Sequence, residues 1–437
     1  MSVADRTERN TLPGSPVVGT TKPRLLGVLG PGLITGASDD DPSGIATYSQ
    51  AGAQFGFQLC WVMLFSYPLM AAVQEISARI GRTTGHGIAG NIRRHYSSGL
   101  LQASVVLLLV ANVINLGADL GAMGNVLHIL IGGPEQLYVV LVGLICLTMQ
   151  VFMQYTRYVA VLKWTTLSLF AYFGAVLMVK VPWGQVAWHS VVPSMSFDKD
   201  AITTVVAVLG TTISPYLFFW QSSQEAEDQR VKPEREPLVD APEQAPGAIE
   251  RIRVDTYVGM AFANLVALAI IVTTGATLHV QGITDIQSST QAAEALRPIA
   301  GSFAFAVFAL GIIGTGLLAV PVLAGSAAYA IGEARHWPVG LARQPMEAKA
   351  FYATLAIATV IGIIVNFIGV DPIRALYWSA VINGVVAVPV MIVMMLMASD
   401  RRVMGELTIP SALKAVGWIA TGVMALSAVA MGVTSFV

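Results

Sequence analysis

Residues 32–56 read GLITGASDDDPSGIATYSQAGAQFG. Three consecutive acids, Asp39, Asp40 and Asp41, interrupt an apolar segment and are followed at once by Pro42, Ser43 and Gly44. Pro42 has no amide hydrogen and disfavours helix at Asp41, while Gly44 relaxes the backbone. The pattern predicts two half-helices separated by an unwound stretch, whose free carbonyls and carboxylates face a common cavity suited to a cation. An interhelix loop with solvated acids fits the same residues. A second interruption weighs against that loop: Pro215, in GTTISPYLFFWQ (residues 210–221), lies inside a charge-free run over 201–224. The two prolines are 173 residues apart, and each opens a block of about five apolar segments. Two inverted five-helix halves, with the binding site where the broken helices meet, have this signature.

The rest of the sequence demands a bilayer. The chain has 437 residues, 55% hydrophobic and 12% charged, where soluble domains carry about 25% charge. Its mean hydropathy is +0.67. Disordered and fibrous classes are excluded, and an ordinary soluble enzyme is a poor fit. With a net charge of −1 and no basic arms, nothing points to nucleic acid. Cys60 and Cys146 sit in apolar runs and argue for neither a disulfide framework nor a thiolate metal site.

A spanning helix needs about 20 mostly apolar residues, and eleven segments qualify: 25–56, 58–80, 100–130, 136–155, 158–180, 200–222, 254–280, 300–332, 350–369, 373–398 and 411–436. A transmembrane barrel would show shorter, alternating segments. With the N-terminus inside, 21 of the 25 Lys and Arg residues fall on the cytosolic side, leaving only Lys180, Lys199, Arg297 and Arg374 outside. The positive-inside rule therefore predicts a multi-pass protein of the cell membrane, N-terminus cytoplasmic and C-terminus extracytoplasmic. Residues 1–24 read as a cytosolic tail, since they lack the apolar core of a secretory signal. Residues 25–180 form the first repeat, 181–199 an extracytoplasmic loop, 200–398 the second repeat, and 399–437 a cytosolic loop with helix eleven. Within the second repeat, the Pro-, Glu- and Arg-rich stretch 224–253 reads as a flexible cytosolic linker, with a regulatory binding segment as the sharper alternative.

Acids within a membrane are functional candidates by default, and Asp41 leads them. Glu75 and Arg79 have the spacing of a helix-stabilising pair. Asp119, in ANVINLGADLGAMG (residues 111–124), either lines an ion or proton route or satisfies an interhelical hydrogen bond. Lys163 pairs with an acid or reaches the interface. The six histidines share no metal-ligand spacing. Gly311, Gly314 and Gly316 are read as simple packing positions.

PGLITGASDDDPSGIATYSQAGAQFG, QEISARIGRTTGHGIA (residues 74–89), the helix carrying Asp255 and Asn264, and YWSAVINGVVAVPVMIVMMLMASDRRVMG (residues 377–405) resemble the NRAMP family of divalent-metal transporters. The resemblance runs through helices one to ten in order. It implies an all-α, LeuT-type fold of two inverted five-helix repeats with discontinuous helices 1 and 6, and typically proton-coupled entry of Mn²⁺ or Fe²⁺. The family's Asp-Pro-Gly-Asn motif falls on Asp41-Pro42-Ser43-Gly44, so the Asp ligand is kept and the Asn ligand is lost. Its Met-Pro-His motif falls on Ser214-Pro215-Tyr216, with Thr211 at the backbone-carbonyl position. The thioether has become a hydroxyl, and the histidine linked to proton movement a tyrosine. Asp119 matches the third-helix acid, its flanking acids fall on Asn112 and Ala122, and the glutamine of helix ten falls on Ala380.

The expected metal set is thus Asp41, Gly44, Thr211 and Ser214, with Asp39, Asp40, Tyr216, Gln221, Asp119 and Asn383 around an accessory cavity. Loss of the soft sulfur removes the preference for late transition metals, and Gly44 in place of Asn is expected to enlarge the cavity. A roomy oxygen-lined site suits Mg²⁺, which dehydrates reluctantly. The expectation is a divergent branch resembling the NRAMP-related magnesium transporters, carrying Mg²⁺ and Mn²⁺ by alternating access with weak or no proton coupling. No cofactor is expected, and the metal ion is the cargo; the other partner is the lipid bilayer. Three other readings stay open: a proton-coupled Mn²⁺/Fe²⁺ importer whose site is rebuilt from Asp39, Asp40 or Gln221, a symporter of organic substrates with Na⁺, and a metal-sensing receptor acting through 224–253. No nucleophile–base pair, phosphate loop or paired catalytic carboxylates suggest an enzyme.

Overall fold

The structure, a computed structural model, describes residues 35–36, 38–152, 169–232 and 234–436. The expected N-terminal tail, the start of the first helix, and Arg157 and Lys163 lie outside the described residues. Throughout the rest, the chain is helix joined by short turns.

Thr35, Gly36, Ser38 and Asp39 are helical, and the helix then stops. It resumes as α1, Pro42–Phe55, with Asp41 as N-cap and Pro42 in its first turn, where a missing amide hydrogen costs nothing. The first interruption is therefore present, where Pro42 and the acids place it. α2 (Cys60–Thr84), a short α3 (Ile88–His95), α4 (Ser98–Ile131) and α5 (Glu135–Phe152) follow. α6 (Phe170–Met178) is the described part of the fifth span, and α7 (Trp183–Val191) lies in the connection before the second half. There the sixth span is again two pieces, α8 (Lys199–Thr212) and α9 (Pro215–Val231), with Ser214 at the cap position and Pro215 opening α9. α10 (Ala245–Thr274) ends in a π-helical turn over Gly275–His279. α11 (Ala304–Arg335), α12 (Lys349–Val365), α13 (Pro372–Ser399) and α14 (Ser411–Phe436) complete the chain.

Eight helical stretches among the described residues are long and apolar enough to cross a membrane. The other three of the eleven expected spans have visible reasons to fall short. The first and the fifth are described only in part, and α2 carries Gln74, Glu75, Arg79 and Arg82 in its last three turns. Arg79 donates to Glu75 Oε1 through Nε at 2.9 Å and Nη2 at 2.6 Å, the pairing that their spacing predicts.

Two packing groups emerge. In the first, α2 packs on α9 and α10, and α10 on α1; α4, α5, α11 and α12 form the second group, which α9 meets through α11. α13 lies between them, against α1, α4 and α8. Where α8 crosses α13, the backbones nearly touch: a Cβ added at Gly210 would stand 2.1 Å from the Ala380 carbonyl oxygen and 2.5 Å from Gly384 N. Gly316 likewise admits Met123, whose sulfur would be 2.6 Å from an added Cβ, so this glycine is the packing position expected of it.

The stretch 224–253 differs from the flexible linker that its composition suggests. α9 runs on to Val231 and α10 begins at Ala245, so most of it is helix. The remaining residues form a strap against the end of α2. Leu238 and Val239 donate backbone N–H groups to Arg82 and Thr83 carbonyls at 3.3 and 3.1 Å. Arg82 Nη2 donates to Gln244 Oε1 at 2.8 Å, and Arg251 pairs with Glu225. Leu238 is 1% exposed, so an apolar side chain fixes the strap where a count of charges suggests only solvent.

Candidate metal site

Each proline leaves one carbonyl without its helical donor. Pro42 would otherwise serve the Ser38 carbonyl, and Pro215 that of Thr211. Both vacancies are met by hydroxyls. Ser214 Oγ donates toward the Gly210 and Thr211 carbonyls at 2.7 and 2.9 Å. The Tyr216 hydroxyl lies 3.2 Å from the Ser38 carbonyl and 3.3 Å from Asp41 Oδ2, so the second break reaches across to the first.

Asp41 is held from three sides. Its Oδ1 accepts the Gly44 amide at 2.7 Å, the local cap of α1. Its Oδ2 accepts from Asn115 Nδ2 on α4 at 3.0 Å and faces the Tyr216 hydroxyl. Asn115 Oδ1 in turn accepts from Ser379 Oγ on α13 at 2.7 Å. A carboxylate offers about four acceptor directions. Three are engaged, which leaves Asp41 one direction for a cation. Asp41, Thr211, Ser214 and Tyr216 are all buried.

Around that direction the donors are oxygen. A Cβ placed on Gly44 would meet Thr211 Oγ1 at 3.1 Å, the Asp39 carbonyl at 3.2 Å and the Tyr48 ring at 3.3 Å. The expected enlargement at Gly44 is therefore not found. The Thr211 hydroxyl and the Asp39 carbonyl stand where a side chain on residue 44 would begin, so the position presents a hydroxyl and a carbonyl. Thr211 consequently contributes its hydroxyl beside Gly44, while its carbonyl is partly taken by Ser214.

The accessory residues divide. Asp39 and Asp40 are each 1% exposed, with no hydrogen bond to any of their four carboxylate oxygens among the described residues. Asp119 is fully buried, one helical turn beyond Asn115 on α4. Neither carboxylate oxygen has a close side-chain partner among the described residues, while the Ser43 backbone of α1 lies toward it, so both readings of Asp119 stay open. Asn112 plays a structural part, donating to the Leu323 carbonyl and Ser326 Oγ at 2.9 and 2.7 Å. Gln221 is turned to other work, donating to Thr256 Oγ1 at 3.0 Å. Asn383 is buried on α13 one turn beyond Ser379, with Oδ1 unpartnered among the described residues. No group of three or more His, Cys, Asp or Glu side chains converges on one point among the described residues. Outside the spans, burial and then Arg94, Arg230 and Arg93 push the His86 imidazole down to about 3, so it stays neutral at the turn after α2.

Asn115 stands out in the sequence only as a polar neighbour of Asp119, and Ser379 does not stand out at all. Asn115 is one polar residue in a long apolar helix and Ser379 one of several small residues on α13. Their only sequence signal is that Asn115 lies one turn before Asp119 on the same helix face.

This arrangement, a helical bundle with two proline-broken helices meeting at one carboxylate, is that of a LeuT-type transporter built from two five-helix repeats. The sequence profile of the Nramp family, described as natural resistance-associated macrophage protein-like, matches residues 32–434, and the chain belongs to that family of divalent-metal transporters. Among solved structures it is similar to the manganese transporter of Eremococcus coleocola in complex with an aromatic bis-isothiourea substituted compound. The TM-score is 0.74 at 17% identity, over 92% of this chain and 85% of that one. It is also similar, more distantly, to Mhp1, a nucleobase-cation-symport-1 family transporter in a closed conformation with bromovinylhydantoin bound. There the TM-score is 0.55 at 13% identity, over 93% of each chain.

Proposed function

We propose that this protein is a secondary transporter that carries Mg²⁺, and also Mn²⁺, across the cell membrane with weak or no proton coupling. The observation that carries this reading is the donor set at the two breaks. Asp41 offers one remaining direction, the Thr211 hydroxyl and the Asp39 carbonyl stand beside Gly44, and the hydroxyl of Ser214 caps the facing break, with no thioether at either position. A single carboxylate ligand among neutral oxygens suits an ion that keeps several of its waters, which is the habit of Mg²⁺. The hydroxyl of Ser214 donates to the backbone, so its lone pairs are what it offers to a cation.

Weak proton coupling is supported by what stands at the family's titratable positions. Tyr216 replaces the histidine and is bound to Asp41 and Ser38, and Asn112 replaces an acid and is fixed to α11. Transport proceeds by rocking the group of α1, α2, α9 and α10 against that of α4, α5, α11 and α12, exposing the Asp41 site to each side in turn.

Purified protein in liposomes is expected to show Mg²⁺ influx that Mn²⁺ inhibits and that Asp41→Ala abolishes, with little change in lumenal pH. Robust Mn²⁺ or Fe²⁺ flux without Mg²⁺ flux, accompanied by metal-dependent lumenal acidification, would replace this reading with the proton-coupled importer. The carboxylates of Asp39 and Asp40, which have no hydrogen-bond partner among the described residues, are groups that such an importer would use.

A further inference from the structure

Asn115 joins three parts of the molecule at the break in the first span, as Ser223 and Gln224 on α9 join the two packing groups elsewhere through Glu333 and Tyr329 on α11. It belongs to α4, in the second packing group; its amide nitrogen holds Asp41, at the break leading into α1 of the first group; its amide oxygen is held by Ser379 on α13. All three residues are buried. An Asn side chain has a donor end and an acceptor end, and which faces which neighbour depends on the network. Here the choice is forced. Turned around, the amide would present its oxygen to the Asp41 carboxylate, acceptor against acceptor. Ser379 secures the productive orientation by donating to Oδ1 at 2.7 Å, although its single proton has a second acceptor, the Leu376 carbonyl, also at 2.7 Å.

We propose that Asn115, held in orientation by Ser379, is the positioning residue that aims Asp41 at the transported cation. This rests on the reading of Asp41 as a cargo ligand. A neutral donor is the residue type that this task requires. It occupies one carboxylate direction without adding a charge, whereas a Lys or Arg there would repel the cation and an Asp would bring another buried anion. Because the hydrogen bond crosses between the two packing groups, rocking one against the other has to break or re-form it. Asn115 thereby links the affinity of Asp41 to the position of α4 and α13.

Removing a group that orients a metal ligand costs about tenfold to a hundredfold in metal affinity. In proteoliposomes of the full chain, Ser379→Ala is expected to raise the KM for Mn²⁺ and for Mg²⁺ by about tenfold, with Vmax within about twofold of the parent. Asn115→Leu raises KM further, and the double variant is no worse than Asn115→Leu alone, because Ser379 acts only through Asn115. An unchanged KM in Ser379→Ala, a loss confined to Vmax, or penalties that multiply in the double variant would overturn the proposal. If Asn115→Leu does not fold, the KM of Ser379→Ala, which removes one buried hydroxyl, decides alone. Failure of the underlying reading is separable: it shows as undiminished metal uptake in Asp41→Ala.

Discussion

Ser214 illustrates how one side chain does two jobs at a broken helix. Its hydroxyl replaces the amide hydrogen that Pro215 lacks, donating to the Thr211 carbonyl at 2.9 Å, and its lone pairs line the break. Ser214→Met removes the donor, returns the Thr211 carbonyl to the site and introduces a soft sulfur. Sulfur strengthens binding of Mn²⁺ far more than of Mg²⁺, so the ratio of Mn²⁺ to Mg²⁺ affinity is expected to rise by about tenfold, equivalent to about 1.4 kcal/mol. Calorimetric titration of both ions into the parent and the variant reads this directly, and an unchanged ratio would show that Ser214 does not face the cargo. At this scale the sequence was only half legible. Asp41 announces itself because a carboxylate beside a proline in an apolar run is costly to bury unless it has a ligand to bind. Asn115 does not, because its importance comes from which end of its amide faces α1, and that depends on Ser379, 264 residues away. Gly44 misled for a related reason: loss of a side chain reads as space, yet the Asp39 carbonyl and the Thr211 side chain stand in it.

Among the elements, the broken helices were the most legible feature and the strap the least. Proline alone does not stop a helix here, since Pro68, Pro321 and Pro389 lie inside α2, α11 and α13. Residues 42 and 215 mark the breaks because polar residues, Asp39 to Asp41 and Thr211, Thr212 and Ser214, stand just before them. The strap after α9 reads as linker because its charges dominate its composition, while its anchoring depends on Leu238 and on backbone groups that have no sequence signature. The crossing of α8 and α13 lies between these cases. It brings the break in the sixth span against the helix that carries Ser379, and it depends on Gly210 having no side chain. In Gly210→Ala the new methyl would meet the Ala380 carbonyl and the Gly384 amide, which are backbone and cannot swing aside. Overpacking of this kind costs about 1–3 kcal/mol. The variant is expected to melt at a lower temperature than the parent in detergent, whereas Ala at Gly422, where an added Cβ meets nothing within 4 Å, leaves melting unchanged. Equal melting of the two variants would mean that α8 and α13 are free to part.

For the whole molecule, the same scarcity of charge that reveals a membrane protein also orients it. Of the basic residues, 21 of 25 lie on the side expected to be cytosolic, a bias that fixes topology because Lys and Arg resist translocation. On that expectation the strap lies on the cytosolic side and the connection between α10 and α11 on the other. Two exposed positions test the assignment, Glu243 beside the strap and Thr290 in the α10–α11 connection. The native cysteines need no removal, since Cys60 and Cys146 are both 0% exposed and give little background to a bulky reagent. In intact cells, a membrane-impermeant maleimide is expected to label Thr290→Cys and to leave Glu243→Cys unlabelled until the membrane is opened. The reverse pattern would place the strap outside and turn the transporter over. Because inverted repeats expose the same carboxylate to either side, that result would leave the Asp41 site intact while reversing which face of it the cytosol meets. Topology and site chemistry are thus separable properties of this fold, the first set by where the basic residues stop and the second by what surrounds one buried acid.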